Sequence, residues 1–132
     1  MKSSELADAV RRAVKRSSYA VLLGSAEGDT VAGEAAARIL GVGDEQYSEG
    51  ETQKFETMSL DDLFRYLDEE LLDQINYAVM LQIRLQREAD ITRIGRYSRL
   101  MDALDDLINN AQHHIITTRR KYSEWKAAEV QA

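Results

Sequence analysis

The clearest hydrophobic pattern in the chain is a heptad repeat in its C-terminal third. Apolar and small residues recur at alternating spacings of three and four from Ile94 to Trp125. Such a repeat predicts a long helix, at about 91–128, that presents one continuous seam to a partner helix. We interpret the large seam residues as core or oligomer contacts. They are Tyr97, Met101, Leu104, Ile108, Ile115, Tyr122 and Trp125.

A second long helix is predicted just before it, at about 59–87. Ser59 is a favourable N-cap, and Asp61 and Asp62 suit the positive end of the helix dipole. Apolar residues then repeat at alternating spacings of four and three up to Leu85. The repeat does not continue through 86–93, which leaves two structures open: a tight turn between antiparallel helices, or one continuous helix.

Two shorter amphipathic segments open the chain. The first predicts a helix that ends at Gly24, followed by a linker at 24–29. The second predicts a helix that ends at Gly41 or Gly43. The N-cap candidates are Ser3 or Ser4 for the first helix and Asp29 or Thr30 for the second.

Between these helices and the long pair, the pattern favours a single β-hairpin near 45–57. Thr52, Phe55 and Thr57 have side chains that favour strands, and Gly50 can supply the positive φ of a tight turn. Tyr47 and Phe55 are the large apolar anchors, and the tip at Glu49 is acidic. The predicted fold is therefore mostly α, and α+β only by virtue of this hairpin, which we expect to touch a partner.

Composition predicts a single domain over 1–132, with a helix–hairpin–helix unit at 29–85. The 132 residues include no cysteine, which excludes disulfides and cysteine metal sites. The longest N-terminal apolar run, "YAVLL", is too short for a secretory signal. We therefore expect a soluble protein, cytoplasmic when synthesised, with no membrane partner.

Charge is distributed unevenly along the chain. The net charge is −6, yet residues 1–23 carry +3 and residues 44–73 carry −9. The basic N-terminal helix, predicted over 1–24, has three interpretations: a solvated face, a contact for an acidic protein surface, or a contact for nucleic acid. Its basic cluster consists of Arg11, Arg12, Lys15 and Arg16.

The sequence contains no recognisable catalytic motif. His113 and His114 are adjacent and point about 100° apart on a helix, so one metal does not easily suit both. Glu69 and Asp73 share a helix face, but the Glu-x-x-His pattern of carboxylate-bridged iron sites is missing. We predict no catalytic, cofactor-binding or metal-binding residue, no small-molecule substrate and no enzymatic activity.

The order of short helix, hairpin and capped helix resembles a known family. Over about residues 29–75, the sequence is similar to the phage head–tail joining family of the lambda W type. The stretch that carries the similarity is "AAARILGVGDEQYSEGETQKFETMSLDDLFRYLDEEL". Members are shorter and end soon after the second helix. The positions that carry the resemblance are Gln46, Tyr47, Gly50, Phe55, Ser59, Leu63 and Leu67.

The resemblance implies a virion component with a small α+β fold. Such proteins form a ring beneath the portal, bind protein surfaces, enclose DNA and catalyse nothing. We therefore expect a structural or assembly protein that acts by oligomerising, with other virion or complex proteins as partners and non-specific proximity to DNA. The alternative is a cytoplasmic coiled-coil adaptor, or a small regulatory subunit of a nucleic-acid-handling complex.

Overall fold

The computed structural model describes residues 1–17, 25–88 and 94–131, and for residues 25–29, Tyr47 and Ile94 it describes the backbone only. The predicted fold class is confirmed: mostly α with one small hairpin. The elements are α1 (Ser3–Lys15), α2 (Ser25–Leu40), α3 (Val42–Tyr47), β1 (Ser48–Glu49), β2 (Thr52–Gln53), α4 (Lys54–Thr57), α5 (Leu60–Glu88) and α6 (Ile94–Gln131).

The chain forms two compact units, Met1–Leu60 and Asp61–Ala132, which are described separately below. The single domain expected from chain length stays a prediction. The prediction of a first helix that ends at Gly24 is wrong: α1 ends at Lys15 with Arg16 as its C-cap, because the Ser17 N–H and hydroxyl both donate to the Val14 carbonyl and close the last turn. Most of the tight turn expected near 87–92 lies outside the described residues.

In the N-terminal unit, α1 packs against α2 through small side chains. Ala7 of α1 and Ala32 and Ala36 of α2 are fully buried. Alanine lets two helix backbones approach closely, because only a methyl group separates them. The unit therefore gains its core from close backbone approach more than from large apolar side chains.

The N-terminal cap of α1 differs from the prediction. The N-cap position is Lys2, whose backbone N–H donates to the Glu5 carboxylate at 2.8 Å. Because Glu5 satisfies this donor, the cap does not need Ser3 or Ser4. Ser3 instead donates to Asp44 of α3.

Helix α2 begins earlier than the sequence pattern suggested. It starts at Ser25, so the linker predicted at 24–29 and the N-cap at Asp29 or Thr30 are wrong. Ser25 and Glu27 suit a first helical turn, and no proline interrupts the segment. The helix ends at Leu40, and the Gly41 N–H donates to the Ala37 carbonyl at 2.9 Å.

The hairpin is much shorter than predicted. Ser48 pairs with Gln53 and Glu49 with Thr52, so two residues form the loop. Gly50 has φ +75° as predicted, and a glycine at the first loop position fits a type II′ turn. Tyr47 belongs to α3 and not to a strand. Phe55 belongs to the helical turn α4, because the Glu56 carboxylate accepts the Gln53 N–H at 2.8 Å and caps that turn.

In the C-terminal unit, α5 and α6 form an antiparallel hairpin. Residues early in α5 contact residues late in α6: Asp68 contacts Arg119 at 2.7 Å and Asp61 contacts Lys126 at 3.1 Å. Gln82, late in α5, donates to Asp105 at 2.7 Å. This arrangement confirms the two antiparallel helices and excludes the continuous helix. Helix α5 begins at Leu60, directly after the predicted cap Ser59.

Candidate protein-interaction surfaces

The predicted heptad seam lies along the face of α6 that contacts α5. Leu104 and Ile115 are buried, together with Ala111, and on α5 the buried residue is Ala78. The remaining large seam residues are only partly covered. Tyr97, Met101, Ile108 and Tyr122 are half-buried, and Trp125 is 45% exposed.

One edge of this helical hairpin is closed by polar contacts, and we call it the polar edge. Arg119 donates from Nε and Nη2 to the two carboxylate oxygens of Asp68, each at 2.7 Å. Asp61 accepts from the Tyr122 hydroxyl and from Lys126. Bidentate guanidinium–carboxylate pairing fixes geometry as well as charge, so these contacts set the register of the two helices.

These contacts shift the acidities of their members. The Tyr122 hydroxyl and then Lys126 hold the pKa of Asp61 below its usual value. Hydrogen bonding from Arg119 likewise lowers the pKa of Asp68. In return, the hydrogen bond to Asp61 raises the pKa of Tyr122 to about 12. Each shift favours the ionisation states that keep the polar edge closed at neutral pH.

An aromatic stack connects the two helices next to the polar edge. The Phe64 and Tyr122 ring centroids are 4.4 Å apart and nearly parallel. Trp125 follows at 5.8 Å from Tyr122. The stack extends the seam outward until Trp125 reaches the surface.

The opposite edge of the hairpin is apolar and open, and we call it the leucine edge. Phe64 faces α6, and since successive helical residues turn by about 100°, Leu63 and Leu67 lie on the opposite side of it from Asp61 and Asp68. Trp125 lies in the same way opposite Arg119 and Lys126 on α6. The edge consists of Leu63, Leu67 and Leu81 of α5, and Leu100, Leu107 and Trp125 of α6.

These side chains are well exposed for their size. The exposed fractions are 37% for Leu63, 54% for Leu81 and 47% for Leu100. The polar-edge side also exposes apolar residues: Leu72, Val79 and Ile83 on α5, and Ile116 and Val130 on α6. On the leucine edge the exposed apolar residues form two clusters, with Leu63, Leu67 and Trp125 at the open end of the hairpin and Leu81, Leu100 and Leu107 toward the other end. Clusters of exposed apolar residues rimmed by polar residues are typical of interaction sites.

The basic cluster predicted on the first helix lies at the end of α1. Arg11 pairs with Asp8 at 2.8 Å. Arg12, Lys15 and Arg16 are exposed in and just after the last turn, where cations complement the helix dipole. Of the predicted hairpin contacts, Glu49 is exposed and Phe55 is half-buried.

Sequence reasoning missed a buried polar contact in the N-terminal unit. Gln53 is 1% exposed, and its amide donates to the Met1 carbonyl at 3.3 Å and to the Ser3 hydroxyl at 3.1 Å. Its partners lie 50 or more positions away in sequence, so no local pattern reveals the contact. A polar residue on a two-residue strand carries no signal of burial.

No chemical centre emerges from the histidines. The His113 and His114 rings are 5.8 Å apart on the exposed side of α6. Across 1–17, 25–88 and 94–131, no three or more His, Cys, Asp or Glu side chains form a group able to hold a metal ion. Among the helices described, none combines the length and apolar composition that a membrane span requires.

Comparisons of the chain with protein-family models, curated proteins and solved structures gave no significant match.

Proposed function

We propose that this protein is a non-enzymatic structural or assembly protein that acts by oligomerising. The observation that carries the proposal is the leucine edge. Two packed helices bury only one side of each apolar stripe, and here apolar residues on a second side stay exposed on both helices. Burial of that side in an assembly removes apolar surface from water, the main driving force for association.

The specific role that we propose is a phage head–tail connector or a related virion component. It is supported by the sequence resemblance at 29–75, a region where the order is α2, the hairpin and α5, with the short helices α3 and α4 on either side of the hairpin. The opposite charges of residues 1–23 and 44–73 also suit repeated contacts between subunits. In this role the protein is synthesised in the cytoplasm and incorporated into the virion.

A cytoplasmic adaptor remains the second candidate. The exposed basic end of α1 favours it, because Arg12 and Arg16 present positive charge to a phosphate backbone or an acidic protein. In that case the protein binds nucleic acid in a salt-sensitive manner. The connector role requires no such binding by the isolated protein.

Mass measurement and microscopy test the proposal. We expect light scattering to give a mass above the 15.0 kDa of one chain, and co-expression with neighbouring gene products to yield ring-shaped particles in negative stain. A monomer at about 100 μM, well above the micromolar range of weak specific association, contradicts oligomerisation. Stable oligomers that form no ring and bind DNA with a steep salt dependence support the adaptor instead.

A further inference from the structure

We propose that the leucine edge is covered by a second copy of this chain, with the two helical hairpins pointing the same way. The two-fold axis then runs parallel to the helices, and α5 of each copy lies on α6 of the other. This inference rests on the proposed function, because it specifies how the protein oligomerises. It concerns the C-terminal unit alone.

The leucine edge has the form that a two-fold contact needs. In such a contact the same surface is used on both copies, so it must complement itself. The edge is two helices wide, and its apolar residues form one cluster toward each end of the hairpin. When the hairpins point the same way, each cluster meets its own counterpart in the second copy, and the four helices enclose apolar side chains at both ends.

The charged residues that face the leucine edge decide the orientation. Asp61, Asp68, Arg119 and Lys126 are already paired with one another on the polar edge. Because successive helical residues turn by about 100°, Glu70 of α5 and Lys121 of α6 lie on the leucine-edge side instead. Both are exposed, and both lie toward the open end of the hairpin.

The two possible two-fold arrangements pair these residues differently. When the hairpins point the same way, α5 lies on α6 of the other copy at the same height, so Glu70 meets Lys121 of the other copy in both halves of the dimer. When they point opposite ways, α5 lies on α5 and α6 on α6, so Glu70 and Lys121 do not meet. The same-way arrangement therefore brings opposite charges together at the leucine edge. Arrangements that juxtapose opposite charges are favoured in specific interfaces.

The aromatic end of the hairpin fits this orientation. Trp125 lies at the open end of α6, and Leu63 and Leu67 lie at the same end of α5. In the same-way dimer the exposed indole meets the partner's two leucines across the interface. A partly exposed tryptophan that enters an apolar pocket is the kind of anchor that carries much of the energy of an interface.

A charge exchange tests the pairing of Glu70 with Lys121 of the other copy. We expect Glu70→Lys to raise the dimer dissociation constant several-fold at low salt, and Lys121→Glu added to it to restore much of the affinity. Both effects should shrink as salt rises, because exposed charges are screened. The pairing is wrong if the double variant dimerises no better than Glu70→Lys alone.

A distance measurement tests the orientation directly. The chain has no cysteine, so Ala127→Cys, at an exposed position near the end of α6, gives one spin label per chain. In the same-way dimer the labels are separated by the width of the bundle, about 30 Å, whereas the opposite arrangement adds the rise of about 30 residues, roughly 45 Å along the axis. The label is read on the full chain by pulsed electron spin resonance, beside light scattering of the same sample.

The outcomes separate the two proposals. An oligomer of even subunit number with a distance near 30 Å is the expected result. An oligomer with only a distance of about 50 Å or more, or with an odd number of subunits, overturns the same-way dimer but leaves oligomerisation standing. A monomeric sample overturns both.

Discussion

At the residue scale, Gln53 shows how the N-terminal unit is held together. Its buried amide connects β2 to Met1 and Ser3 at the start of α1, and Ser3 in turn donates to Asp44 of α3. Three segments that are distant in sequence therefore meet at one polar group. Because this group is buried, the hydrogen bonds cannot be replaced by water without opening the unit.

We predict that Gln53→Ala destabilises the N-terminal unit by about 1–3 kcal/mol, the usual cost of losing buried hydrogen bonds. The measurement is urea unfolding, with hydrogen exchange of α1 and α2 to localise the loss. Gln46→Ala is the matched control, because Gln46 is exposed. Equal stability of the two variants would mean that the Gln53 hydrogen bonds do not stabilise the N-terminal unit.

The Tyr122–Asp61 hydrogen bond predicts a sensitivity to alkaline pH. The pKa of Tyr122 is raised to about 12 in the folded protein, above that of an unfolded tyrosine. A group whose pKa is raised by folding contributes stability at lower pH, and this contribution is lost as pH rises from about 10 toward 12. The hairpin should therefore weaken over that interval.

Thermal unfolding across this interval is the measurement. We expect Tyr122→Phe to unfold at a lower temperature than the parent at neutral pH, with the gap narrowing as the solution becomes more alkaline. Tyr77→Phe, at a tyrosine that is 67% exposed, should follow the parent throughout. A gap that stays constant with pH would contradict the proposed role of the hydrogen bond.

Local chemistry explains which single residues could be predicted. Gly50 and the cap position of Ser59 follow from backbone preferences of the residues themselves, and both are found as expected. Ser3 and Gln53 could not be predicted, because their partners come from distant segments. Propensity describes a residue and its neighbours in sequence, whereas burial of a polar group depends on the tertiary structure.

At the element scale, the long helices were predictable, whereas the hairpin was predictable in its existence and its glycine turn but not in its length. Four heptads give a repeated signal for α6, and cap and stripe agree for α5. The segment 45–57 offers only a few strand-favouring side chains, so a single capping contact from Glu56 converts part of it to the helical turn α4. Short elements are decided by individual contacts more than by propensity.

The interface between α5 and α6 predicts a strong effect of charge in the seam. Leu104 is buried, so Leu104→Asp should cost about 3 kcal/mol or more, and Ile108→Asp should also destabilise the hairpin. The helicity and thermal unfolding of each variant are the measurements. If either variant unfolds like the parent, the seam is not the core of the hairpin.

At the scale of the whole molecule, the sequence predicts the class of fold but not the surfaces that remain open. Helical periodicity indicates how wide an apolar stripe is, and α5 has a stripe wider than one partner helix can cover. Which side of the α5 stripe stays exposed depends on where α6 packs against it. That position is fixed by the contacts of Asp68 with Arg119 and of Asp61 with Tyr122, which join residues more than 50 positions apart.

The central claim is that the leucine edge mediates oligomerisation, and the mass of two matched variants tests it most directly. Leu107→Asp places a charge on the leucine edge, and Ile116→Asp places one at a similarly exposed position on the other side of α6. Light scattering over a range of concentrations should find oligomers for the parent and Ile116→Asp, and a folded 15.0 kDa monomer for Leu107→Asp. A Leu107→Asp variant with the parent's mass at every concentration would contradict the claim.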